Sequence, residues 1–242
     1  MRLLLIVLLI SNFLYAQEKE NIEIVYSERV FWIIEDSAKY SKEHIDAKKR
    51  AMEEKNFYKL RANKEESLYD FIPKINNNQS NNSFNITYST SEKYIYKNLQ
   101  EKLYFIEETY PKSFFIKDSL SDLNWDLKDD LKKYKDYAIK SANCYYKDYY
   151  VTAWYTEDIK ISSGPKLLGG LPGIILIAEM EHKNGEKVQL LAEKINYTKF
   201  QKVLKPKTFK EDKIISRKEY EVILNDFIKK EDEMFNLNID NK

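Results

Sequence analysis

The chain has one cysteine, two histidines, five glycines and five prolines among 242 residues. A lone cysteine cannot close an internal disulfide, so packing must carry stability, and Cys144 reads as a small buried hydrophobe. Neither His44 nor His182 has a second His or a Cys at ligand spacing, which argues against a metal centre. Without a histidine base near a serine, a Ser-His-Asp triad has no support either. Excess charge of one sign is also missing: 40 Lys and Arg stand against 39 Asp and Glu. No sequence-wide field therefore favours nucleic acid or an anionic membrane.

Long apolar runs are absent beyond the start of the chain. There Arg2, the run Leu3 to Ile10, and Leu14-Tyr15-Ala16 precede the charged Gln17-Glu18-Lys19-Glu20. The run falls short of the roughly 20 residues a membrane span needs. The pattern is that of a secretory signal peptide, residues 1–16, cut after Ala16. No cysteine lies near the cut to carry a lipid anchor, and no transmembrane segment remains after cleavage. The expected product is exported: periplasmic, outer-membrane-associated or secreted.

Aromatic residues, by contrast, are plentiful, with 19 tyrosines, far more than a disordered chain carries. One domain, 17–242, is expected. Alternation marks strands at 22–34, 57–62, 67–72, 94–97, 102–107, 113–117, 137–146 and 149–155. A charged helix is expected over 41–55, and the Asn-rich 76–83 reads as a loop. Asn184-Gly185 predicts a two-residue hairpin between runs 174–183 and 186–195. Ser216-Arg217-Lys218-Glu219 has capping-box spacing ahead of Tyr220, Ile223, Leu224, Phe227 and Ile228, a helical stripe expected to pack on the sheet. The fold class is thus mainly β (α+β): a curved antiparallel sheet or open β-barrel with an N-terminal helix and a C-terminal amphipathic helix.

Four of the five glycines fall within Gly164-Pro165-Lys166-Leu167-Leu168-Gly169-Gly170-Leu171-Pro172-Gly173. Such clustering signals backbone conformations or close approaches that side chains forbid. Leu171-Pro172-Gly173-Ile174 fits a type II turn with positive φ at Gly173. Gly169-Gly170 would admit a backbone or ligand at contact distance. The apolar run Ile174 to Ala178 predicts a strand covered on both faces. Phosphate binding is disfavoured, because no Gly-Lys-Ser/Thr ending occurs and a strand follows, not a helix.

Gly170-Leu171-Pro172-Gly173-Ile174-Ile175 resembles the signature of the GLPGLI family of exported proteins from Gram-negative bacteria. Ala153-Trp154-Tyr155-Thr156 is similar to the family's Ala-Trp-Tyr/Phe-Thr element, and Gly164-Pro165 to its Gly-Pro step. Trp125-Asp126-Leu127 with Tyr137 resembles its Trp-x-Leu strand and following Tyr. The chain departs from the pattern at Ile139, where many members have cysteine, at Asp148-Tyr149, where they carry Gly-Arg, and at Lys160, where they carry proline. The resemblance implies an envelope protein, with an outer-membrane protein as a partner, and implies no biochemical activity or cofactor.

The carboxylate pairs Glu107-Glu108, Asp129-Asp130 and Glu157-Asp158 point to opposite strand faces and read as solvated edges. Tyr145, Tyr146, Tyr149, Tyr150, Trp154 and Tyr155 could line the concave face of a bent sheet. The binding candidates are accordingly Trp125, Trp154, Tyr155, Gly164, Pro165, Gly170, Leu171, Pro172 and Gly173. Two functions follow. The first is a non-catalytic binding or accessory protein holding an apolar ligand, peptide or partner. The second is a peptidase-like envelope hydrolase using carboxylates near Glu157 and Asp158.

Overall fold

A computed structural model describes residues 21–34, 41–73, 92–198, 205–206 and 214–239. The leader and the Asn-rich loop lie outside them. The strands are β1 (Asn21–Phe31), β2 (Asn56–Ala62), β3 (Glu66–Ile72), β4 (Glu92–Asn98), β5 (Leu103–Glu108) and β6 (Phe114–Ser119). They continue with β7 (Asp126–Tyr134), β8 (Tyr137–Tyr146), β9 (Tyr149–Thr156), β10 (Ile174–His182), β11 (Lys187–Thr198) and β12 (Ile214–Ile215). Helix α1 (Lys42–Glu53) follows β1, and α2 (Arg217–Ile239) follows β12.

The twelve strands among the described residues form one open sheet in the order β12-β6-β5-β4-β3-β2-β1-β11-β10-β9-β8-β7. Every pairing is antiparallel except the short β12–β6 contact. Two meanders, β1 to β6 and β7 to β11, are therefore joined through β1 and β11, whose register runs from Asn21↔Thr198 to Phe31↔Lys187. The central strands alternate as a half-buried sheet should: in β1, Ile22, Ile24 and Tyr26 are fully enclosed in the main core with Tyr58, Leu60, Tyr69, Ile95 and Ile106. A second core, on the opposite face of β8 to β11, gathers Ala142, Cys144, Val151, Ala153, Tyr155, Ile175 and Leu190. Cys144 is a buried free thiol there, as a small hydrophobe would be.

β10 shows the double coverage expected of it. Ile174 and Leu176 enter the main core while Ile175 and Ala178 enter the second. β9 ends at Thr156, and Ile159 and Ile161 of the loop that follows enter the main core. Three details differ from the sequence reading. The 184–185 hairpin has a three-residue loop: Gly185 N–H donates to the His182 carbonyl at 2.7 Å, and Gly185 alone takes positive φ, +90°. That is a type I turn closed by a glycine bulge. β7 escaped alternation because it is the charged edge strand Asp-Leu-Lys-Asp-Asp-Leu-Lys-Lys-Tyr, almost wholly solvated, as edges protected from aggregation are. Finally, Glu107 and Glu108 are not solvated edges: both are buried, the first paired with Lys93 and the second with Arg217.

Candidate functional site

The segment from Glu157 to Gly173, joining β9 to β10, folds back on itself. Ser163 bridges Gly169, Leu168 N–H donates to the Pro165 carbonyl at 3.1 Å, and Ile175 N–H donates to the Ser163 carbonyl at 3.0 Å. Lys166 inside this turn holds φ at +51°, a region that non-glycine residues enter only when their surroundings fix them. Its ammonium lies 3.0 Å from Glu28 and 3.2 Å from Glu92, which supply that fixing.

The glycine loop does not stay near its own strands. Five steps separate β10 from β4 in the sheet order, about 24 Å across a flat sheet at about 4.8 Å per strand. Yet Lys97 on β4 donates to the carbonyls of Gly164 at 2.9 Å and Leu168 at 2.8 Å. Ser163 Oγ meets Ser67 Oγ of β3 at 3.1 Å. Tyr26 of β1 donates to the Ile175 carbonyl at 2.5 Å. The sheet curls, and the loop fills the hollow that the curl creates.

The glycines serve this closeness in different ways. A Cβ on Gly173 would stand 1.8 Å from the Thr156 carbonyl oxygen, and one on Gly164 would stand 2.9 Å from Ile175 Cβ. Gly170 takes the positive φ, +86°, whereas Gly173 does not. The type II turn placed at 171–174 is therefore corrected: Gly173 is required by contact, Gly170 by conformation.

Of the other candidates, Trp125 joins the loop, its indole N–H donating to the Gly169 carbonyl at 2.9 Å. Pro165 and Leu171 are buried, and Pro172 is exposed. Tyr155 is enclosed in the second core, while Trp154 points to the opposite face with the Lys132 ammonium 3.3 Å above its ring. Tyr145 and Tyr150 pack on each other and face solvent, at 79% and 40% exposure. The aromatics thus do not converge on one wall. Glu157 is ion-paired on the surface with Lys140 at 2.9 Å.

What the loop leaves open is a cleft along its flank. One cavity of about 300 Å³ is bounded by Lys97, Leu99, Leu120, Leu123, Leu168 and Gly170, among others. A second, of about 270 Å³, lies beside it against Tyr104, Tyr146 and Arg217. Leu120, Ser121, Leu123 and Leu167 line both. Neither Glu157 nor Asp158 lines either one. Among the described residues no group of three or more His, Cys, Asp or Glu could hold a metal ion.

Lys97 is a site residue that its residue type does not announce. Burial alone pulls its ammonium from the ordinary 10.5 down to about 7. Its signal was parity: Ile95 and Lys97 share one strand face, so an apolar Ile95 places Lys97 inward. The same parity carries Glu28 in from Ile22, Ile24 and Tyr26.

Residues 112–177 match the model of a family described as Protein of unknown function (Porph_ging). The Porph_ging match begins just before β6 and ends within β10, so it takes in Trp125, the 120–123 segment and the whole glycine loop. In fold the chain is similar to two crystal forms of PNGF-II, with TM-scores of 0.50 and 0.53 at 18% and 16% identity. The similarity covers 82% and 85% of this chain but 31% and 33% of the PNGF-II chains. The chain therefore spans about a third of the length of these relatives. A DUF1329 family protein from Desulfovibrio piger aligns over 84% of this chain and 94% of its own, with a TM-score of 0.35 at 8% identity. No sequence match was found among curated proteins.

Proposed function

We propose that this chain is an exported cell-envelope protein of the GLPGLI type. In this reading it is a non-catalytic binding or accessory protein that holds an apolar ligand or peptide in the cleft between the glycine loop and residues 118–123. Three features support export and kinship: the leader-like residues 1–16, the run Gly170-Leu171-Pro172-Gly173-Ile174-Ile175, and the Porph_ging match around it. The continuous sheet supports reading 17–242 as one domain. No helix among the described residues is long and apolar enough to cross a membrane.

The observation that carries the binding reading is the cleft itself. Leucines from three segments, Leu99, Leu120, Leu123 and Leu167, border an opening in which a ligand would replace water against apolar surface. The hydrolase alternative has no such support, because Glu157 is spent on a surface ion pair with Lys140. The test is uptake of a neutral solvatochromic dye. Native protein should bind it, Leu167→Asp should weaken binding at least tenfold, and Trp154→Ala, at a residue that lines neither cavity, should leave it unchanged. A native protein that takes up no dye, or a Leu167→Asp variant that binds as well as native, overturns the reading.

A further inference from the structure

We propose that the cavity at Lys97 takes an amphiphilic carboxylic acid, with its head group at the Lys97 ammonium and its apolar body along the leucines of the cleft. The inference rests on the apolar-cleft reading and adds to it the chemistry of the ligand's head.

Taking an ammonium out of water costs several kcal/mol unless a counter-charge and hydrogen bonds replace the lost hydration. Where a cation is enclosed here, a carboxylate usually meets it: Lys166 has Glu28 and Glu92, and Arg217 has Glu108. Lys97 is 1% exposed and, among the described residues, donates only to the carbonyls of Gly164 and Leu168. Those two acceptors satisfy the neutral amine, but the ammonium carries three protons, so the charged form has neither a third acceptor nor a counter-charge among the described residues. No described carboxylate stands within ion-pair distance of it.

Lys97 also differs from Lys166 in place, since it borders a cavity of about 300 Å³. The other charged groups on that cavity are Lys64, Lys102 and Asp122. Lys102 and Asp122 pair at 2.9 Å, so the remaining charge is positive. On the flanking strands, register sets Ser67 of β3 and Tyr104 of β5 beside Lys97, and neither brings an anion. Lys166, on the same loop, is held by its own two carboxylates. An incoming carboxylate supplies the missing counter-charge and the third acceptor together, while Leu99, Leu120, Leu123 and Leu168 cover an aliphatic body.

Two probes of equal length, octanoate and octanol, separate this inference from the reading beneath it. Titration calorimetry at pH 8 should show octanoate binding about tenfold tighter than octanol. Because free Lys97 is largely neutral at that pH, binding the anion should draw up to about one proton from solvent, visible as a heat that depends on the buffer's ionisation enthalpy. Lys97→Met should erase both the preference and the proton uptake while octanol still binds. Equal binding of the two probes overturns the acid-head inference and leaves the apolar cleft standing. Binding of neither overturns both. An octanoate preference that survives in Lys97→Met overturns the assignment to Lys97. If that variant does not fold, the two-probe comparison and the proton uptake in native protein still decide.

Discussion

Gly173 and Gly170 lie three residues apart and are glycine for different reasons, which gives them different tolerances. A methyl at Gly173 would collide with backbone, the Thr156 carbonyl oxygen at 1.8 Å, and backbone cannot rotate aside as a side chain can. At Gly170 the nearest atom to an added Cβ is Trp125 Nε1 at 3.7 Å, and the cost is only that of φ +86°. Gly173→Ala should therefore lose about 3 kcal/mol or more and Gly170→Ala about 1 kcal/mol in urea unfolding. Similar losses would overturn the distinction. The glycine cluster was legible in sequence as a demand for unusual backbone; the kind of demand at each position was not, because it depends on Thr156 across the loop. Lys97 gives a second residue-scale outcome. Between about 7 and 10.5 the unfolded chain holds a proton that folded Lys97 lacks, so stability rises with pH across that window. The Cys144 thiol, pushed by burial from 9.0 up to about 11, acts oppositely: above pH 9 the unfolded chain loses that proton first, and stability falls. The urea midpoint should thus climb from pH 7 to 9 and then level or decline, and Lys97→Met should remove the climb. A native midpoint flat from pH 7 to 9 would contradict the burial of an amine without a counter-charge.

Helix α2 separates local rules from tertiary ones. Its capping box forms as the spacing predicts: Ser216 N–H donates to Glu219 Oε2 at 2.7 Å, and Glu219 N–H donates to Ser216 Oγ at 3.2 Å. Its apolar stripe is only half used. Tyr220 is buried and packs on Phe114, and Phe227 meets Tyr110, but Ile223 and Ile228 stay 38% and 42% exposed. Periodicity names a face, and only the partner decides how much of it is covered; the described contacts come mainly from β6 and the Tyr110 turn. Ser216→Ala should cost about 1 kcal/mol. The loss is read by urea unfolding and by faster amide exchange in the first helical turn, and unchanged exchange there would mean that the cap does not hold the helix. The strand β7 makes the complementary point. A charged, solvated edge carries no hydrophobic period, so pairing with β8 is written in its neighbours and not in itself.

Across the whole molecule, the glycine loop ties the β9–β10 end of the sheet to β1 through β4, and its buried ionic contact is the place to measure that tie. Glu28 has a side chain with no exposed surface; it meets Lys166 at 3.0 Å and Tyr58 OH at 3.4 Å. Glu92, the other partner of Lys166, remains 24% exposed and can be hydrated. Lys166→Met should therefore cost about 3 kcal/mol, chiefly because Glu28 is left as a buried charge without its cation, and not because the pair itself contributes that much. Neutralising both partners removes the stranded charge, so Glu28→Gln with Lys166→Met should recover at least half of the loss. Urea unfolding of the two single variants and the double variant closes the cycle. Additive losses would mean that Lys166 and Glu28 act independently, and that the tie across the hollow rests on the loop's other contacts, those of Lys97, Ser163, Trp125 and the apolar Ile159 and Ile161 among them.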